Sequence, residues 1–260
     1  MLEIINLITC GLSVYNFQEH IASDIPVDGE YLDIQNCESQ NILNSVVSWT
    51  DENKMKLNES KTKYMVFNPS RTHQFGIRLH INDKPLEKVE ETTLLGTVIS
   101  SDLSWSSNTD FIVRKAYKRL EIVRKLYSFN VPTMDLVHIY ILYVRSVLEF
   151  NCCVWHYSLT VEQRYEIERV QKVACKIILK KDYISYEKSL EDLNLQTLED
   201  RRNTLCKRFA QKCVKGPSQI SNMFPLDETR HSNRYKVTFA RNSRLLHSAI
   251  PQMQRVLNKC

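Results

Sequence analysis

Cys152 and Cys153 are adjacent, and His156 follows within a helical turn of them. A thiol beside an imidazole is the raw material of nucleophilic catalysis, with histidine as base. Here the two cysteines follow a buried-helix pattern, and no glycine stands close by to shape an oxyanion hole, so packing in a core competes with chemistry. His138, His231 and His247 are each isolated in sequence from nucleophile partners. The eight cysteines are otherwise scattered singly, with no CxxC or Cys/His zinc spacing. They read as reduced, mostly buried thiols of an intracellular protein, nuclear or cytoplasmic and not secreted. Only five glycines occur among 260 residues. Neither a GxGxxG nor a GxxxxGK[ST] pattern is present, which argues against a Rossmann or P-loop core.

Charge supplies the second chemical signal. The first 50 residues hold seven acids and no Lys or Arg, so the other 210 carry +12 of a chain whose net charge is +5. A basic body of this kind suits a polyanionic partner, with a solvated basic surface as the plain alternative. Met1–Tyr15 is mildly apolar but carries Glu3 and no basic residue, unlike a signal peptide. No apolar run approaches the ~20 residues of a membrane span, so no membrane partner is expected.

The elements that must position these groups follow from periodicity. Residues 1–36 form an irregular segment turning at Pro26, Asp28 and Gly29. Ile42, Val46 and Trp49, widened by Leu43 and Val47, predict a helix from about Cys37 to Glu52, with Asn53 at its C-terminus. Tyr64–Phe67, the alternating Ile77, Leu79 and Ile81, and Leu94–Ile99 predict a small antiparallel sheet of three strands. Ser106 to Thr109 offer N-caps for a helix over 110–128 that places Ile112, Ala116, Leu120, Val123 and Tyr127 on one face. A helix over 133–149 is apolar nearly all round, as in a buried central helix. Further helices are expected over 161–180, 185–194 and 197–215. The fold class is therefore α+β, with a small sheet in 37–105 and a mainly α-helical module over 106–216. Residues 217–260, with seven Lys or Arg and no acid after Glu228, read as a loosely packed basic tail.

One stretch carries a resemblance. Asn53, Met55, Leu57, Asn58, Lys61, Thr62, Lys63, Met65 and Phe67 fall on the pattern N-x-M-x-L-N-x-x-K-T-K-x-M-x-F, just after a helix that ends near Trp49. This resembles the closing part of the palm of reverse transcriptases from non-LTR (LINE-type, jockey-like) retrotransposons. The run from Leu94 to Trp105 is similar to that family's primer-grip hairpin, and the helices of 110–215 to its thumb. Cys153–Trp155, Leu193–Arg202, Phe224–Leu226 and Ser248–Pro251 also have counterparts in that family. The resemblance covers roughly residues 20–260. It implies an RNA-directed DNA polymerase parent and a partner that is an RNA–DNA hybrid or DNA duplex backbone. It further implies that Lys61, Lys63, Gly96, Lys115, Lys118 and Arg119 approach nucleic acid. A solvated turn is the alternative for the two palm lysines, a bulge or tight turn for Gly96, and a solvated helix face for the basic stretches 114–125, 172–181 and 201–215.

The same resemblance defines what is missing. The parent family uses Mg²⁺ held by carboxylates from two places. Counting back from Leu57 and Asn58 sets Ile21 at the aromatic position of the catalytic hairpin. Ser23 and Asp24 then take the places of its paired aspartates, so Asp24 alone matches. A serine hydroxyl is a poor Mg²⁺ ligand, and one carboxylate cannot organise two ions. The expectation is a truncated, catalytically inactive fragment that needs no cofactor and keeps backbone binding. The rival readings are a non-enzymatic helical protein-interaction module and a non-functional remnant.

Overall fold

The computed structural model of the protein describes residues 29–55, 57–67, 78–216, 218–227, 234–239 and 243–259. The architecture is mixed, mostly helical with a few small sheets, and broadly α+β. The chain divides into two compact units, Met1–Ser104 and Trp105–Cys260.

The first unit is built on helix α1 (Gly29–Glu52), which begins well before the periodic apolar stripe. Leu43 is fully buried, whereas Trp49, assigned to the stripe by its spacing, is exposed. Lys54 rather than Asn53 takes the left-handed conformation after the helix, at φ 55°. Six short strands follow: β1 (Lys63–Tyr64), β2 (His80–Ile81), β3 (Lys84–Pro85), β4 (Glu87–Lys88), β5 (Glu91–Leu94) and β6 (Thr97–Ser100). Ile77 of the expected three-stranded antiparallel sheet lies outside the described residues, and among the described residues the strands form three separate two-stranded pairs instead, one of which, β1 with β4, is parallel. The reason lies in burial. Tyr64, Met65, Val66 and Phe67 are all buried, so this run fills a core and only Tyr64 of the four joins a ladder. Tyr64, Val66, Leu79, Ile81 and Leu86 pack with Leu43 in that core. Gln40 fixes α1 to β2 by a peptide-like pair of bonds: Nε2 donates to the His80 carbonyl at 2.8 Å, and Oε1 accepts from the His80 N–H at 2.9 Å.

The second unit opens with α2 (Ser106–Ser128). Its N-cap is Trp105 in the left-handed conformation, and the expected caps Asn108 and Thr109 are buried inside its first turns. Ile112, Ala116, Leu120 and Val123 form its buried stripe, spaced so that one face of the helix is apolar. The expected single helix over 133–149 is a composite: α3 (Thr133–Ile139), a π-helical segment Tyr140–Arg145, and α4 (Ser146–Glu149). It is not buried all round, since Met134 and Leu142 are exposed. Phe150 is extended and Asn151 left-handed before α5 (Cys152–Trp155) begins. By length and composition Thr133–Ser158 does suffice to cross a membrane, contrary to the sequence expectation. It is interrupted at Phe150 and Asn151, and its Tyr140, Val144, Leu148 and Trp155 lie in the protein interior.

Helix α6 (Val161–Leu179) starts with a capping box between Thr160 and Gln163, which satisfies two otherwise orphaned donors. Its Ile167, Val170, Ala174 and Ile178 are buried, and it packs along α2. Ser185 and Thr197 cap α7 (Tyr186–Asp192) and α8 (Leu198–Val214). Beyond these come α9 (Ser218–Ser221), α10 (Ser243–Leu246) and α11 (Ala249–Leu257). The last stretch is less loose than its composition implies. Phe224, Met253 and Gln254 are buried, and Met253 and Phe224 share a core with Ala210 and Cys213 of α8.

Candidate functional site

The residues singled out in the sequence meet different fates. Ser23 and Asp24 lie outside the described residues. Lys61 is exposed in the turn before β1. Lys63 is not a free cation: its Nζ pairs with Glu87 at 2.8 Å across the β1–β4 ladder. Gly96 (φ 81°) and Leu95 (φ 47°) form the two-residue link of the β5–β6 hairpin. Two successive positive φ values define a type I′ turn, a conformation glycine adopts without strain and leucine does not. Gly96 thus has a structural reason to be glycine.

On α2, Lys115 and Lys118 are exposed. Lys115 Nζ lies 5.5 Å from the Phe111 ring centroid. Arg119 is committed to packing. Its guanidinium sits 4.4 Å over the Tyr143 ring, and Nη1 donates to the Tyr143 carbonyl at 2.6 Å. It therefore ties α2 to the π-helical segment.

A row of cations that sequence reasoning named only as a basic stretch emerges at the C-terminal end of α6. Lys172 and Lys176 are one turn apart on one face of that helix, and Lys180 follows just past its last residue, Leu179, at φ 49°. Lys172 Nζ lies 5.3 Å from the Tyr165 ring and 5.0 Å from that of Tyr186. Lys176 lies 5.3 Å over Tyr183, and Lys180 lies 5.1 Å over Tyr127. None of the three lysines enters an ion pair among the described residues. This differs from the neutralised cations of the same unit, such as Arg124 with Glu121 and Arg164 with Glu199. A neutral ring holds an ammonium in place without cancelling its charge. The tyrosines of these helices are thus divided, with Tyr140 fully buried and Tyr127 and Tyr165 exposed beneath lysines.

A buried polar network holds this face. Tyr140 Oη donates to Gln171 Oε1 at 2.7 Å, and Gln171 Nε2 donates to Tyr186 Oη and to the Gln196 carbonyl, each at 2.9 Å. Tyr186 Oη donates in turn to Glu168. Both Glu168 oxygens accept from the Leu198 N–H at 3.1 Å, setting a carboxylate at the start of α8. Burial, followed by the bond to Glu168, raises the Tyr186 phenol well above its usual range, so it remains a donor at all working pH values.

The second cluster surrounds Cys152 and Cys153. Packing of α5 on α8 brings Cys206 to them, and the three Sγ atoms lie within 4.8 Å of one another. Cys152 and Cys206 are buried and Cys153 is half-buried. Hydrogen bonds from Cys152 and then Cys206 lower the Cys153 thiol, and the same bonding raises its two neighbours. His156 does not serve Cys153 as a base. Its Nδ1 accepts from Arg202 Nε at 3.2 Å, and its Nε2 faces Asn203 Oδ1 at 2.9 Å. The thiol–imidazole pairing weighed from the sequence is thus absent as a dyad. Arg202 is fully buried. Its guanidinium lies 5.9 Å from the Trp155 ring centroid, and its Nη1 and Nη2 have no hydrogen-bond partner. No sequence spacing signals this cluster, because 52 positions separate Cys206 from the adjacent pair's second member and only helix packing joins them.

Compared with known proteins, the chain matches no family model, no curated protein and no solved structure.

Proposed function

We propose that the protein is the palm end, primer grip and thumb of a non-LTR retrotransposon reverse transcriptase, and that what it retains is sequence-independent grip on a nucleic-acid backbone. The family reading rests on the motifs from Asn53 to Phe67 and from Leu94 to Trp105. The binding reading rests on one observation, the row of Lys172, Lys176 and Lys180 held over tyrosine rings. Such cations are pre-positioned and free of ion pairs among the described residues, with the charge of Lys172 acting also on Glu187, and cations open to solvent are what phosphate contact requires. Phosphate contacts give affinity and register without reading sequence. The lysines Lys61, Lys115 and Lys118 add exposed charge of the same sign, whereas Lys63 and Arg119 are occupied elsewhere. Polymerisation is not part of this proposal, because Ser23 stands where a metal-binding carboxylate is needed.

The test is fluorescence anisotropy of the purified chain against a labelled RNA–DNA hybrid, from ~50 to 200 mM salt. The reading expects micromolar or tighter binding at the low-salt end, weakening steeply with salt, and no primer extension. Absence of binding by folded protein overturns it.

A second reading, a helical protein-interaction module, is favoured by exposed apolar side chains around the composite helix: Phe129, Leu142, Phe150 and Val154. It predicts salt-insensitive association with a protein and no affinity for the hybrid.

A further inference from the structure

Three sulfurs converge where α5 meets α8. Cys152 and Cys153 lie in α5 immediately after the left-handed Asn151, and Cys206 lies in α8. Their Sγ atoms are within 4.8 Å of one another. A zinc ion with Zn–S bonds of about 2.3 Å holds its sulfurs roughly 3.8–4.0 Å apart, so small side-chain rotations close the trio around one ion. Thiolate sulfur selects soft or borderline metals over Mg²⁺ and Ca²⁺.

Arg202 supplies an independent observation. It is fully buried, and both of its Nη atoms lack a hydrogen-bond partner. The negative groups that act on it are Glu168 first, then Cys152, Glu199 and Glu149. Burying a guanidinium with unmade hydrogen bonds is costly. Three thiolates around a divalent ion carry one net negative charge, which the charge of Arg202, already acting on Cys152, opposes. His156 is unavailable as a ligand, since Arg202 and Asn203 occupy its two ring nitrogens. Cys153, the half-buried member, gives the ion its route from solvent.

We propose that Cys152, Cys153 and Cys206 form a three-thiolate site for a divalent thiophilic cation of the zinc class, with Arg202 as the balancing charge. The bound ion cross-links α5 to α8 and leaves a fourth coordination position open to water. This site is independent of any nucleic-acid binding by the chain.

The experiment is titration of the reduced, full-length chain with Co²⁺ alone, followed by displacement with Zn²⁺ alone. Sulfur-to-cobalt charge-transfer and d–d absorption report thiolate ligation. The expected result is one Co²⁺ per chain, displaced by one Zn²⁺, with Zn²⁺ raising the melting temperature. Cys153→Ser and Cys206→Ser each lower the affinity by more than ~100-fold, beyond the loss typical of removing an outer partner. Cys175→Ser, a buried thiol elsewhere on α6, leaves uptake intact, as does joint replacement of Cys10, Cys37 and Cys260 by serine. Far-UV circular dichroism identifies any variant that fails to fold, and the half-buried Cys153→Ser is the variant least exposed to that failure. No stoichiometric uptake by the folded, reduced chain overturns the proposal, as does uptake that survives both Cys153→Ser and Cys206→Ser.

Discussion

Arg202 donates from Nε to Nδ1 of His156 across 3.2 Å, and both side chains are buried. The bond fixes the imidazole as the tautomer protonated at Nε2, which then donates to Asn203 Oδ1 at 2.9 Å. A protonated His156 would lose its acceptor and set two positive charges side by side.

The first prediction follows from that pair. Burial, opposed by the Asn203 bond and assisted by the charges of Arg202 and Arg164, lowers His156 to about 4. An unfolded imidazole titrates near ~6.5. Between these values the unfolded chain binds the extra proton, so the stability from this site is complete above about pH 6.5 and is lost as pH falls to about 4, amounting to roughly 3 kcal/mol. Denaturant melts from pH 7 to 4 should show a steeper loss for the parent chain than for His156→Gln. Parallel curves would count against the neutral, buried histidine.

Glu149 anchors a second polar junction. It accepts from Arg201 Nε at 2.5 Å and Nη2 at 3.1 Å, and Arg145 Nε lies 3.5 Å away. Removing one partner of a buried pair leaves charge uncompensated, at about 3–5 kcal/mol. Arg201 keeps a quarter of its side chain in solvent (26%), so Glu149→Ala should cost about 2–3 kcal/mol in chemical denaturation. A cost under ~1 kcal/mol would mean that the pair behaves as a surface ion pair.

Tyr140→Phe tests the network beneath the lysine row. The substitution keeps the ring but deprives Gln171 Oε1 of its donor. An unsatisfied buried acceptor costs about 1–3 kcal/mol. The measured loss should fall in that range, with far-UV circular dichroism unchanged. A neutral substitution would show that Gln171 finds another donor.

The helices of the second unit were legible because apolar side chains recur at 3.6-residue spacing. Ile112, Ala116, Leu120 and Val123 mark α2, and Ile167, Val170, Ala174 and Ile178 mark α6. What periodicity missed is non-local. Lys63 pairs with Glu87 through a parallel register, and alternation within a single strand cannot choose its partner. The π-helical segment at Tyr140–Arg145 left no trace in a pattern that was apolar all round. The lysine row was visible as charge, yet two of the rings beneath it come from other helices, with Tyr127 on α2 and Tyr186 on α7. The thiol trio was hidden for the same reason, since Cys206 reaches Cys152 and Cys153 only through helix packing.

The most direct test of the binding claim is the salt slope for an RNA–DNA hybrid, compared between the parent chain and Lys172→Glu/Lys176→Glu/Lys180→Glu. Each phosphate contact contributes about 0.7–0.9 to the slope of log K against log salt. Three lost contacts should therefore flatten that slope by about 2–3, with binding weakened and the fold intact by circular dichroism. An unchanged slope and affinity in the folded triple variant would contradict the account.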